Sequence, residues 1–172
     1  NAFKTFPGPA CELKAVSFLD FSFNSLKKVD EAIGNMVGLE HLRLDNNKLK
    51  ELPSSFGRLP TLSRLNARHN ELTDLKGALA GCTALTDLDL RNNKLPKVPP
   101  EMGGLTNLIR LALSHNSLNS LPSEMGELRK LRDFGIVGNH IKVPNQQVLE
   151  AGMDFVLEYL YSMGQAEEVG GE

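Results

Sequence analysis

The side chains of this sequence that could do chemistry are four histidines, two cysteines and a set of arginines and aspartates placed at regular intervals. Histidine with cysteine suggests zinc, which takes four nitrogen or sulfur ligands in a tetrahedron. The spacings do not supply one: no Cys-x-x-Cys or His-Glu-x-x-His occurs, nor a glycine-rich phosphate loop or a nucleophile elbow. His69 and His115 hold equivalent places in alternate 23-residue intervals, while His41 and His140 hold two other places. They read as solvent-facing side chains, and no catalytic, metal or cofactor site is expected. The charged residues point elsewhere. Arg64, Asp87, Arg110 and Asp133 alternate in sign at 23-residue steps, a row that can neutralise itself or recognise charge on another molecule.

The same interval runs through the whole chain. Asn24, Asn47, Asn70, Asn93, Asn116 and Asn139 are each 23 residues apart, and Asn1 falls one interval before Asn24. Around them lie six units starting at 16, 39, 62, 85, 108 and 131, with leucine-like residues at positions 1, 4, 6 and 11 and asparagine at 9. Leu85, Leu88, Leu90, Asn93 and Leu95 make one such unit. Six copies in phase are the signature of leucine-rich repeats.

Each fixed position has a physical reason. Positions 3 to 7 predict a short strand pairing in parallel with its neighbours about 4.8 Å away. Positions 4 and 6 point inward, and 3, 5 and 7 face solvent. The chain then turns through the interior, where the asparagine side chain must satisfy backbone groups that water cannot reach. Leu52-Pro53, Val98-Pro99 and Leu121-Pro122 each lead into residues ending in glycine and leucine, which predicts short helical turns on the convex side. Leu75-Lys76-Gly77 replaces that motif in the third unit, so its turn should be the least regular.

The expected architecture is an α/β right-handed solenoid with a parallel sheet on the concave face and a helical C-terminal cap. Repeats occupy residues 1–143, beginning with a partial repeat over 1–15, whose Asn1 on the ladder position predicts a piece cut from a longer solenoid. Residues 144–164 read as the cap that the last coil needs: one short helix from Asn145 to Gly152, then a second from Asp154 to Ser162 with Phe155, Val156, Tyr159, Leu160 and Met163 as its apolar stripe. Residues 165–172 read as a disordered tail.

The net charge of −2 gives no electrostatic case for nucleic acid or an anionic membrane. No stretch approaches the ~18 apolar residues of a membrane span. Cys11 and Cys82 fall three repeats apart, beyond the ~7 Å between Cα atoms that a disulfide bridges. Two unpaired thiols and no terminal cysteine clusters fit a cytoplasmic monomer.

The repeat form resembles the intracellular Ras-group class of leucine-rich repeat proteins. Gly138-Asn139-His140-Ile141, Glu150-Ala151-Gly152 and Val156-Leu157-Glu158-Tyr159-Leu160 resemble the C-terminus of the family of leucine-rich-repeat-containing protein 40. Met153 stands where that family carries a capping Thr or Ser, so Asp154 is expected to cap the second helix. The resemblance implies a non-enzymatic, protein-binding signalling scaffold.

The outward columns are the candidate surface for a partner protein. They supply Phe18, His41, Arg64, Asp87 and Arg110 at position 3, and Arg43 and Asp89 at position 5. Arg68 and Arg91 stand at position 7, and Phe23 and His69 at position 8. Arginine is enriched at interface hot spots. Phe18 and Phe23 either anchor a partner or pack beneath an earlier repeat. Lys14-Ala15-Val16-Ser17-Phe18 matches the docking pattern for protein phosphatase 1, but Val16 is a core position, so docking would require the coil to unfold. The rival to a scaffold is a targeting module of a larger signalling enzyme, a kinase, GTPase or ubiquitin ligase.

Overall fold

A computed structural model describes residues 3–8, 12 and 15–170. The expectations resting on Asn1, Cys11 and Lys14 lie outside the described residues. Six strands, β1 (Phe18–Asp20), β2 (His41–Arg43), β3 (Arg64–Asn66), β4 (Asp87–Asp89), β5 (Arg110–Ala112) and β6 (Asp133–Gly135), form one parallel sheet in chain order. Equal repeat positions pair, so Phe18, His41, Arg64, Asp87, Arg110 and Asp133 lie side by side. The coils therefore stack without slippage.

The strands cover positions 3 to 5 rather than 3 to 7. Hydrogen bonding nevertheless continues beyond them, from the Leu44 amide to the Asn66 carbonyl at 2.8 Å and from the Asn46 amide to the Arg68 carbonyl at 3.0 Å. What ends the regular strand is position 8, where every residue has a positive φ: Phe23, Asn46, His69, Asn92, His115 and Gly138. Asn and Gly suit that left-handed turn, His is tolerated, and Phe is the uncommon occupant.

Behind the turn runs the amide ladder. The Asn93 Oδ1 accepts the Leu72 amide at 3.0 Å, and its Nδ2 donates to the Ala67 and Leu90 carbonyls at 3.1 and 3.0 Å. Asn47, Asn70, Asn116 and Asn139 repeat the pattern. Each asparagine thus links its own coil to the one before it. Between sheet and convex side the leucines at positions 1, 4, 6 and 11 are almost wholly buried from Leu39 to Leu118, and each inward leucine-to-alanine change should cost ~2–5 kcal/mol.

Tight 3-10 turns form the convex side at Glu31–Asn35, Ser54–Arg58, Pro100–Gly104 and Ser123–Glu127. The third repeat has none. There Lys76 and Gly77 both take positive φ, with the Asp74 carboxylate accepting the Lys76 amide at 2.9 Å, so an Asx turn replaces the proline turn.

Helix α1 (Gln146–Glu150) is capped by Asn145, whose side chain accepts the Val148 amide, and Gly152 turns the chain with φ +102°. Helix α2 (Met153–Gly170) corrects three expectations. It starts at Met153, which places Asp154 in the first turn rather than at the cap. Residues 165–170, expected as a disordered tail, are helical, because Gln, Ala and Glu favour helix and no stop intervenes after Gly164. Leu157 is buried with Val156 and Leu160, while Phe155 is exposed. The helix lies on the Ser123–Glu127 turn, so close at Gly126 that a Cβ there would collide with the Tyr161 backbone. Arg129 clasps it, stacked 4.1 Å over the Tyr161 ring and 3.1 Å from Glu158.

Candidate functional site

The outward residues of β1 to β5 enclose a shallow depression of about 240 Å³ on the concave sheet. Its floor is Leu42, Leu65 and Asn66, and its walls include seven of the expected contact residues: Phe18, His41, Arg43, Arg64, Asp87, Asp89 and Arg110. Phe23, Arg68, His69 and Arg91 lie outside it. The walls come together because the register sets position 3 of five consecutive strands side by side. Phe18 is 54% exposed and stands edge-on to the His41 ring, 6.4 Å between centroids. Phe23 projects from the left-handed turn and is 61% exposed. His69 and Asn92 hold the same turn position in successive repeats, the His69 Nε2 lying 3.4 Å from the Asn92 Nδ2.

The charges do not form the simple alternating row that their spacing suggests. Arg110 sits between Asp133 at 2.9 Å and Asp87 at 3.7 Å. Arg43 bridges Asp20 at 3.0 Å and Asp45 at 3.3 Å. Arg91 holds Asp89 with two bonds, Nε to Oδ1 at 3.0 Å and Nη2 to Oδ2 at 2.7 Å. Five aspartates are thereby divided among three arginines. Arg64 and Arg68 have no carboxylate among the described residues, although Asp87 is the cross-strand neighbour of Arg64.

Burial separates the structural members of this set from the available ones. Asp45, expected to face solvent, has no exposed surface, and Asp89, expected to meet a partner, is 5% exposed. Burial raises the Asp89 carboxyl, but hydrogen bonds from Arg91 and the charges of Arg91 and Arg68 outweigh it and hold the group below the usual carboxylate range. Hydrogen bonding to Asp89 correspondingly raises Arg91. Asp20 is also lowered, through Ser22 and Arg43 acting against burial. The buried aspartates fix arginine side chains, and the sheet's free donors are Arg64 and Arg68. Sequence alone could not find this split, because all five arginines have an acidic neighbour in the repeat grid.

Elsewhere, Cys82 is a free buried thiol pushed up to about 11 by burial, its Sγ donating to the Phe56 carbonyl. Val16 packs against the core. Among the described residues no three His, Cys, Asp or Glu side chains converge on a metal position, and no helix is long and apolar enough to cross a membrane.

Residues 52–95 and 85–141 match the sequence profile of the leucine rich repeat family, more than half of the chain, and a second leucine rich repeat profile matches 38–59. Among solved structures, a leucine-rich repeat protein of Leptospira interrogans superposes with a TM-score of 0.82 at 32% identity, over 87% of this chain and 38% of that one. The leucine-rich repeat ectodomain of a plant membrane receptor kinase from Arabidopsis thaliana, in complex with Casparian strip integrity factor 2, gives 0.69 at 33% identity over 78% and 17%. An internalin from Listeria monocytogenes shares the fold at 22% identity, with a TM-score of 0.63 over 81% and 47%. The chain thus spans less than half the length of each. None of the curated proteins compared matches it.

Proposed function

The chain belongs to the leucine-rich repeat family, and from that premise we propose that it is a non-enzymatic scaffold whose concave sheet docks a partner protein. One observation carries the reading: the depression joins an outward aromatic, Phe18, to a guanidinium, Arg64, that no carboxylate of the described residues engages. Aromatic and arginine side chains are the residue types that anchor interfaces. Phe18, Phe23, Arg43, Arg64, Arg68 and Arg91 make the contact surface, with Asp89 holding Arg91 in place. The receptor ectodomain solved with its bound factor supports a binding role for such a module. The intracellular Ras-group form, the C-terminal resemblance and the paucity of cysteine support a cytoplasmic monomer acting in signalling.

A second reading, a targeting module within a larger signalling enzyme, is favoured by that same neighbour, the ectodomain of a kinase. The sequence joined to these repeats in the parent protein separates the two. The docking proposal itself is tested by reversing charge in Arg64→Glu with Arg68→Glu and measuring affinity for each isolated partner. Loss of binding is expected, and unchanged affinity for every partner would rule the concave placement out.

A further inference from the structure

Along β3 and the extended residues just after it, the outward positions hold Arg64, Asn66 and Arg68, with no carboxylate between them. On either side the acids are already committed: Asp45 and Asp20 to Arg43, Asp89 to Arg91, and Asp87 with Asp133 to Arg110. The middle of the sheet therefore carries two guanidiniums that form no ion pair with a carboxylate of the described residues. Arg64 is exposed. The Nε of Arg68 is buried and has no acceptor among the described residues. A guanidinium presents a planar set of donors matched to carboxylate oxygens, and beside Arg64 the depression offers the exposed Phe18 ring as an apolar wall.

Resting on the docking reading above, we propose that the partner presents an extended acidic segment. One carboxylate sits on Arg64 in the depression, with an apolar side chain against Phe18, and a second carboxylate sits on Arg68. Arg64 and Arg68 are four residues apart on one strand line, about 13 Å. An extended chain lying along β3 shows every second side chain on one face, so Asp or Glu residues four apart match that separation. Commitment of the flanking aspartates to their own arginines keeps them from repelling the segment fully.

Selection of short random peptides displayed against the intact protein tests this without a known partner. The expected binders carry paired Asp or Glu residues near that spacing with a neighbouring apolar residue. Their affinity should fall about tenfold in Arg64→Ala and in Arg68→Ala, since each change removes a charge-assisted hydrogen bond, and should weaken with salt. Arg64→Lys should recover part of the loss, which a folding defect would not show, and circular dichroism of each variant checks the fold directly. Binders that lack acidic residues yet are lost in Phe18→Ala would overturn the acidic-segment proposal and leave concave docking standing. Binders indifferent to Phe18, Arg64 and Arg68, or no binders at all, would overturn both.

Discussion

Removing one side chain of the amide ladder should destabilise the protein by an amount that depends on its place in the stack. In Asn93→Ala, the Ala67 carbonyl keeps the Asn70 amide at 3.0 Å and the Leu90 carbonyl keeps the Asn116 amide at 3.0 Å. The Leu72 amide has no such reserve: its partner is the Asn93 Oδ1 at 3.0 Å, and Leu72 is fully buried. One orphaned buried donor costs ~1–3 kcal/mol, and the two weakened acceptors add ~1 kcal/mol more. The sum is ~2–4 kcal/mol. Asn24→Ala behaves differently, because the Phe3 amide it satisfies is exposed and the Phe21 carbonyl retains the Asn47 amide at 2.8 Å. Water replaces the lost acceptor there, and the cost should stay under ~1 kcal/mol. Urea unfolding followed by far-ultraviolet circular dichroism, at unchanged slope, measures both. Equal losses for the two variants, or a loss below ~0.5 kcal/mol for Asn93→Ala, would refute the ladder as a buried hydrogen-bond device.

Other expectations follow from the same geometry. Asp89 is lowered in the folded state, so its pairing contributes stability above the unfolded carboxylate value near 4 and loses it as pH falls through the folded value; unfolding of wild type and Asp89→Asn compared between pH 7 and pH 3 should show a difference of about 1 kcal/mol at pH 7 that closes with acid. Gly126→Ala should lift α2 from the Ser123–Glu127 turn, seen as faster amide hydrogen exchange in α2 with the central strands unaffected. Cys82, buried and held near 11, should resist thiol reagents in the native protein and react once it is unfolded.

The stack itself was legible because each of its determinants is local and repeats. Asn47 through Asn139 and the leucines around them are needed at fixed positions for any coil to close, so the period states the fold, the parallel register and the irregular turn at Lys76-Gly77. The surface was less legible. Position 8 reads as one more outward column, yet its left-handed φ at Phe23, His69 and His115 belongs to a turn that periodicity does not announce. Asp45 and Asp89 are buried although their positions alternate outward, since two-residue alternation gives direction and not depth. Likewise, Arg64 and Asp87 pair in register but not in charge, because Arg110 competes for the same carboxylate. Helix α2 outruns its expected end, where Gln165, Ala166, Glu167 and Glu168 favour helix.

Docking on the hollow side of the sheet is tested most directly by site-specific photo-crosslinking. A photoreactive side chain at Asn66, on the floor of the depression, is compared with one at Gly104 on the convex side, where an added Cβ meets nothing within 4 Å. Adducts formed with a bound partner at position 66, and lost when Arg64→Glu is added, are the predicted result. Adducts formed as readily at position 104, or insensitive to Arg64→Glu, would contradict it.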